Sequence, residues 1–449
     1  MKPVFVLTFV SLALVQSTSA QSRERAPQLE PGANLLPKLF HYEAVNRPSE
    51  TPGHSRMDIC YRIDLSFFVA VRTESPETEF VRKGDVLVEL IDSLGVSRAR
   101  DMDIISVETE SGESVPAGQQ WQDGLMSFSL PPGLYTLVFS VEDRKSTRQM
   151  IERKRTVRTR DFPSDSLFVT HPFLISLPDF SGAPPEIHPQ NFGGAARFGS
   201  RTACVVCIGN IPEADSLRID CSFTSSDSLY QWSSREPTSQ DARIFRGFRL
   251  SPGNSAGRPS YILESSQESE AVAILPLPLE KFPIDGYSLR ISATAGASRS
   301  MQTLQFAITW PDMPRSLRDP VSALNKMRYI TTEDELDSLE QGKEKERRAK
   351  FEHYWALRDQ TPETAYNEVM AEYYSRVDEA TTRFSTLRQP EGWKTDRGRI
   401  YILYGDPTNT ERKLDPDGYK EIWSYQKAGK LFVFVDRSRT GDYVLNSVQ

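Results

Sequence analysis

Pro131-Pro132-Gly133-Leu134-Tyr135-Thr136-Leu137-Val138-Phe139-Ser140-Val141 decides the fold of the first half of the chain. Tyr135, Leu137, Phe139 and Val141 recur at every second position, so an extended strand puts them all on one face. The Pro-Pro-Gly turn starts that strand sharply. Working outward, Asp58-Ile-Cys-Tyr-Arg-Ile63 also alternates. Ser66 to Arg72 and Val86 to Ile91 are short apolar runs bounded by turn residues. Short strands at this spacing predict an Ig-like β-sandwich over residues 37–162.

Residues 163–311 repeat the idea, with strand candidates at His171–Leu177, Thr202–Ile208, Leu217–Phe223, Ile244–Leu250, Ala271–Leu277 and Leu304–Trp310. Gly286-Tyr287-Ser288-Leu289 echoes Gly133-Leu134-Tyr135-Thr136-Leu137, and both follow a Pro-containing turn. A second Ig-like sandwich is therefore expected. Beyond Trp310-Pro-Asp-Met-Pro314 the composition turns charged and helical. Thr332-Glu-Asp-Glu335 is a capping box. Phe351, Tyr354 and Trp355 make a buried stripe. Thr361-Pro362 is expected to cap a helix carrying Tyr366, Val369, Met370, Tyr373, Val377, Ala380 and Phe384 on one face. Arg399-Ile-Tyr-Ile-Leu-Tyr404, Glu421–Tyr425, Leu431–Val435 and Tyr443–Leu445 read as strands. Residues 312–449 are thus expected to be α+β, helices followed by a small antiparallel meander.

The N-terminus has one basic residue, Lys2, then an apolar run from Val4 to Val15 and a small-residue site ending at Ala20. This is the pattern of a secretory signal peptide over residues 1–20, and the run is shorter than the ~18–20 residues of a membrane span. No cysteine follows the cleavage site, so the expected product is exported, periplasmic or extracellular, without a lipid anchor or a span in the mature chain. Residues 21–36 form a polar linker.

The chain of 449 residues carries a net charge of −7, which excludes a strongly cationic nucleic-acid binder. Five histidines, at 41, 54, 171, 188 and 353, give no metal cluster by spacing, and no cofactor or metal is expected. The four cysteines are too few for a disulfide framework. Cys204 and Cys207 are three apart in a strand, so they face opposite sides and do not close on one metal. A disulfide from one of them to Cys221 is compatible with export; buried free thiols are the alternative.

The sharpest charge feature is basic: Arg144, Lys145, Arg148, Arg153, Lys154, Arg155, Arg158 and Arg160 against the single acid Glu152. It reads as a patch for an anionic partner or as a sheet edge that discourages strand addition. Gly253-Asn-Ser255-Ala-Gly257 has the spacing of a nucleophile elbow, but no helix start follows it. Gly193 to Gly199 lacks the Lys-Ser/Thr of a phosphate loop. Asp415-Pro-Asp417-Gly418 lacks the ligand spacing of a calcium loop.

Gly392-Trp393-Lys394-Thr395-Asp396-Arg397-Gly398 resembles the signature of the GWxTD domain family, exported bacterial proteins of unassigned biochemical role. Phe351-x-x-Tyr-Trp355, Asp359-x-Thr-Pro-x-Thr364, Asn367, Tyr373-Tyr374-x-Arg376-Val377 and Phe384 resemble the family's helical lead-in. Arg399 to Pro407 and Glu421-Ile-Trp423-Ser-Tyr425 resemble its strands. The resemblance covers about 312–449. It implies a domain and an envelope setting, with no reaction attached.

The residues of the signature can be read on their own. Gly392 suits a turn with positive φ. Trp393 should bury against the helical stripe. Thr395 and Asp396 are acceptors for free backbone N–H groups. Arg397 should pair with an acid nearby or on the preceding helix, and Gly398 allows close backbone approach. A capping knot accounts for all of this. A ligand or partner site contacted by Thr395, Asp396 and Arg397 also fits. The expected function is a non-catalytic binding or scaffolding module for an envelope protein or glycan. The rival is an envelope hydrolase with Asp396 as acid/base and Arg397 as anion clamp.

Overall fold

The computed structural model describes residues 39–73, 80–109, 120–146, 150–181, 185–190, 193–213, 216–234, 243–255, 258–416 and 418–449. The expected leader and linker, Arg148, Ala256, Gly257 and Asp417 lie outside the described residues.

The first unit is all β: β1 (Phe40–Pro48), β2 (Ser55–Asp64), β3 (Ala70–Arg72), β4 (Phe80–Asp92), β5 (Ser97–Thr109), β6 (Trp121–Leu130), β7 (Gly133–Asp143) and β8 (Met150–Thr159). One antiparallel sheet has the order β1-β2-β6. In the other, β4 pairs with β3, β5 and β7, and β8 lies outside β7. The period-two pattern now has its cause. Tyr135, Leu137, Phe139 and Val141 of β7 and Val86, Val88 and Leu90 of β4 share one core with Met57, Ile59, Tyr61 and Ile63 of β2, across the two sheets.

The second unit comprises β9 (Phe168–Val169), β10 (Phe173–Ser176), β11 (Ala195–Arg197), β12 (Thr202–Gly209), β13 (Leu217–Ser225), β14 (Gln231–Ser233), β15 (Arg243–Arg246), β16 (Phe248–Ser255), β17 (Arg258–Ser265), β18 (Ala271–Leu277), β19 (Gly286–Ala295) and β20 (Ser298–Thr309). Its sheets run β10-β12-β18-β15, with β9 also on β12, and β11-β20-β19-β13-β14, with β11 parallel to β20. Alternate residues of β12, β13, β18 and β19 fill the core between them. The echo between the units is structural. The Tyr135 hydroxyl donates to the Pro131 carbonyl at 2.9 Å, and the Tyr287 hydroxyl to the Pro283 carbonyl at 2.8 Å.

The hairpin β16–β17 packs between its own unit and the first. Tyr261 of β17 is fully buried beside Val45 and Cys60 of the first unit and Phe173 and Val205 of the second. Its hydroxyl donates to Asp58 at 3.0 Å. Arg47 stands 3.4 Å from the same carboxylate, and Arg56 at 3.0 Å. Arg47 also donates to Cys207 Sγ at 3.2 Å and lies over the Phe173 ring at 4.3 Å. The two β units are therefore joined through a buried ionic cluster.

The C-terminal unit has five helices, α1 (Pro320–Lys326), α2 (Glu333–Glu340), α3 (Glu344–Ala356), α4 (Glu368–Arg383) and α5 (Asp396–Tyr404). The meander β21 (Asn409–Asp415), β22 (Gly418–Tyr425), β23 (Lys430–Asp436) and β24 (Val444–Val448) follows, with sheet order β21-β22-β23-β24. The Thr332–Glu335 capping box opens α2 as expected. Tyr354, Trp355, Tyr373, Tyr374, Val377 and Phe384 meet Trp423, Phe432 and Phe434 of the meander in one core.

Two local expectations are corrected. Arg399–Tyr404 is helix, part of α5, and not a strand. A short run of alternating aliphatic and aromatic residues fits either state, and here the Thr395 cap decides. The helix after Thr361-Pro362 starts later, with Asn367 as its N-cap accepting the Met370 N–H at 2.8 Å. The displaced segment is used for docking. The Ala365 N–H donates to the Glu280 carbonyl at 2.7 Å, and Tyr366 packs edge-on against Phe198 and Trp310.

Candidate functional site

The heptapeptide 392–398 sits where α4, α5 and the meander meet. Gly392 and Trp393 open a 3-10 turn, Gly392–Lys394, against the end of α4. A Cβ on Gly392 would lie 2.4 Å from the Ala380 carbonyl oxygen, and one on Gly398 2.1 Å from the Gly392 carbonyl oxygen. Close approach, not positive φ, demands glycine at 392. Trp393 is 3% exposed in the core beside α4, as expected. Its carbonyl accepts the Tyr329 hydroxyl at 3.1 Å.

Thr395 is the N-cap of α5. Its hydroxyl accepts the Gly398 N–H at 3.0 Å and donates to the Gly392 carbonyl at 2.7 Å. Asp396, at the first position of the helix, accepts the Leu445 N–H of β24 at 2.8 Å and stands 3.6 Å from Arg399. A carboxylate there also complements the helix dipole.

Arg397 turns the other way. It donates to Glu421 of β22 at 3.5 Å and to the Gly441 carbonyl at 3.2 Å, and lies over the Tyr443 ring at 4.3 Å. Its partner is thus on a later strand, not on the preceding helix. Burial draws its guanidinium pKa down, opposed by Glu421. Glu421, 3% exposed, accepts the Trp423 indole N–H at 2.7 Å and also stands 3.3 Å from Arg412. Arg397, Glu421 and Arg412 line a cleft of about 510 Å³ with Arg383, Phe384 and Trp423. Sequence reading missed Arg383, Arg412 and Glu421. The only signal was an acid inside the apolar run of β22.

Residues 291–446 match the family model of the GWxTD domain. The chain carries a GWxTD domain. The matched segment starts inside β19, so the GWxTD model takes in the second half of β19 and all of β20 as well as the helices and most of the meander. A search of curated proteins gives no match. Among solved structures, a family 123 glycoside hydrolase from Clostridium perfringens is similar at 11% identity, over 37% of this chain and 30% of that one, with a TM-score of 0.18. BcpA, the major pilin subunit of Bacillus cereus, is similar at 7% identity, over 51% of this chain and 65% of that one, with a TM-score of 0.14. The chain spans less than two thirds of either, and at these scores neither likeness bears on fold or activity.

The other sequence candidates lie apart from the GWxTD site. Among the described residues, strand β8 pairs only with β7, which makes it a sheet edge. Arg153, Lys154, Arg155 and Arg158 are exposed along it, Arg160 follows it, and Arg144 and Lys145 precede it, with Arg144 held by Asp85 at 2.7 Å. Charge along an unpaired edge is what deters strand addition. Ser255 ends β16 of a β-hairpin, so no helix N-terminus faces it. Of the two readings of the cysteines, a disulfide among Cys204, Cys207 and Cys221 or buried free thiols, the structure has the second: all four are free, and Cys60, Cys204 and Cys221 are buried. Cys204 and Cys221 face the second core, and Cys207 points away from it toward Arg47. Burial pushes the Cys221 thiol up to about 12, so it stays protonated. Among the described residues, no group of three His, Cys, Asp or Glu converges on a common point, and no helix is long and apolar enough to cross a membrane.

Proposed function

We propose that this is an exported cell-envelope protein, cleaved after Ala20, whose GWxTD domain is a non-catalytic binding or scaffolding module. One observation carries the reading. The Thr395 hydroxyl and one oxygen of Asp396 are engaged within the fold, on Gly392, Gly398 and Leu445. An acid/base catalyst needs its carboxyl within reach of a substrate proton, whereas Asp396 holds the last strand in place.

We further propose that residues 37–162 and 163–311 are Ig-like sandwiches and that 312–449 is the presenting domain. The strand orders β1-β2-β6 against β5-β4-β7-β8, and β10-β12-β18-β15 against β20-β19-β13-β14, support this. So does the paired tyrosine hydrogen bond at the turn before β7 and before β19, a feature of such sandwiches. Joined through Asp58, the pair serves as a stiff mount.

Crosslinking the full-length protein in its own cells, followed by envelope fractionation and mass spectrometry, tests the proposal. The expected result is a mature N-terminus at Gln21 and one dominant crosslinked envelope protein or glycan. Cytoplasmic retention would contradict it. So would turnover of an envelope polymer that Asp396→Asn abolishes without changing the thermal midpoint.

A further inference from the structure

Three arginines, Arg383, Arg397 and Arg412, line the cleft beside the signature with one acid, Glu421, while Glu379 and Asp406 pair Arg383 from outside the lining. Arg397 and Arg412 share the single carboxylate of Glu421, whose other oxygen already takes the Trp423 indole. Among the described residues, the buried Nε of Arg397 has no acceptor. The Arg412 side chain is 77% exposed and pairs with Glu421. Arg383 is steadied by Glu379 at 3.0 Å and Asp406 at 2.7 Å, so its position on the wall is fixed. Arg397 is fixed likewise by Gly441 and the Tyr443 ring. Thr410 adds a hydroxyl to the same wall.

Guanidinium groups held in fixed directions suit oxygen anions, which they grip through paired N–H donors. The volume, about 510 Å³, is that of a small-ligand site. We infer that this cleft receives the oxyanion end of a small ligand, a carboxylate or a phosphate, between Arg397 and Arg412. The inference rests on the reading of the GWxTD domain as a binding module and names the chemistry that module would recognise. Glu421 then acts as the spacer that keeps two like charges close enough to share one ligand.

Isothermal titration of the full-length protein tests this, with sodium glucuronate, N-acetylalanine and inorganic phosphate as probes and glucose as the uncharged control. Arg412→Gln alters an exposed side chain, and circular dichroism checks that it folds. At least one oxyanion is expected to bind while glucose does not. Its affinity should fall about tenfold in Arg412→Gln and fall again with added salt. The tightest probe separates an acidic sugar, a peptide carboxylate and a phosphate as sources. No binding of any probe overturns the inference, as does equal affinity in Arg412→Gln. Thr410→Val provides a second variant on the same wall, expected to weaken binding by a smaller factor. An envelope crosslink that survives when every oxyanion fails would sink the cleft alone and leave the binding module standing.

Discussion

The Asp396 carboxylate accepts the backbone N–H of Leu445 at 2.8 Å, so the first turn of α5 holds the final strand of the chain. The two residues are 49 positions apart. Removing the acceptor takes away the side-chain bond from α5 and leaves β24 its pairing with β23 and the packing of Leu445 on the core. In Asp396→Ala the amides of 444–448 should exchange with solvent markedly faster than in wild type, read by hydrogen-exchange mass spectrometry, while β21 to β23 change little.

Gly392→Ala and Gly398→Ala both place a methyl group on backbone oxygen, at 2.4 and 2.1 Å. Neither neighbour is a flexible side chain that could step aside. Each variant should lose about 2–3 kcal/mol or fail to accumulate folded. Urea unfolding measures this, with exposed Gly429→Ala as a milder comparison, since nothing lies within 4 Å of that position although its φ is positive.

Asp58 is fully buried, with Arg47 at 3.4 Å, Arg56 at 3.0 Å and the Tyr261 hydroxyl at 3.0 Å. Replacing it by Ala leaves Arg47 as an uncompensated charge between the β units. A cost of about 3–5 kcal/mol is expected. Limited proteolysis should then cut between the units, in the segment after β8, faster than in wild type.

Glu43 of β1 gives the joint a pH dependence. Burial pushes its carboxyl up to about 7, against the pull of Arg155, Arg47 and the Gly194 N–H. An acid raised above its unfolded value binds its proton more tightly in the native state. Stability should therefore fall as pH rises from about 4.5 to about 7 and level off above that. Thermal midpoints across this range should show the slope, and Glu43→Gln should flatten it.

The paired tyrosines make a like-for-like comparison. Tyr135→Phe and Tyr287→Phe each remove one hydroxyl bond to a proline carbonyl four residues upstream. Each should cost about 0.5–1.5 kcal/mol. Similar losses in the two variants, by urea unfolding, would mean that the two turns work alike.

Where the governing chemistry is local, the sequence was readable. The echo of Tyr135 and Tyr287 lies within a few residues of each turn, and alternation in β7 needs no distant partner. The Thr332–Glu335 capping box is local too. A short apolar run such as 399–404 serves a strand or a buried helix equally, and only the cap that Thr395 makes on the Gly398 N–H tips it to helix. The helix starts only at Glu368, and not just after Pro362, because Tyr366 is drawn onto Phe198, a contact made across 168 positions of chain. The Arg47–Asp58–Tyr261 cluster and the Arg397–Glu421–Arg412 cleft were invisible for the same reason. Their members come together only when separate elements pack, and no spacing in the sequence records that.

The central claim is that the Thr and Asp of the signature work inside the fold. Urea unfolding of full-length Thr395→Val/Asp396→Ala measures it most directly, because the pair removes a helix cap and a charge-assisted hydrogen bond together. The account predicts a loss of about 2–4 kcal/mol in the transition of the GWxTD domain. Unchanged stability, with loss of the crosslinked envelope partner, would contradict it and make these two residues the contact surface itself.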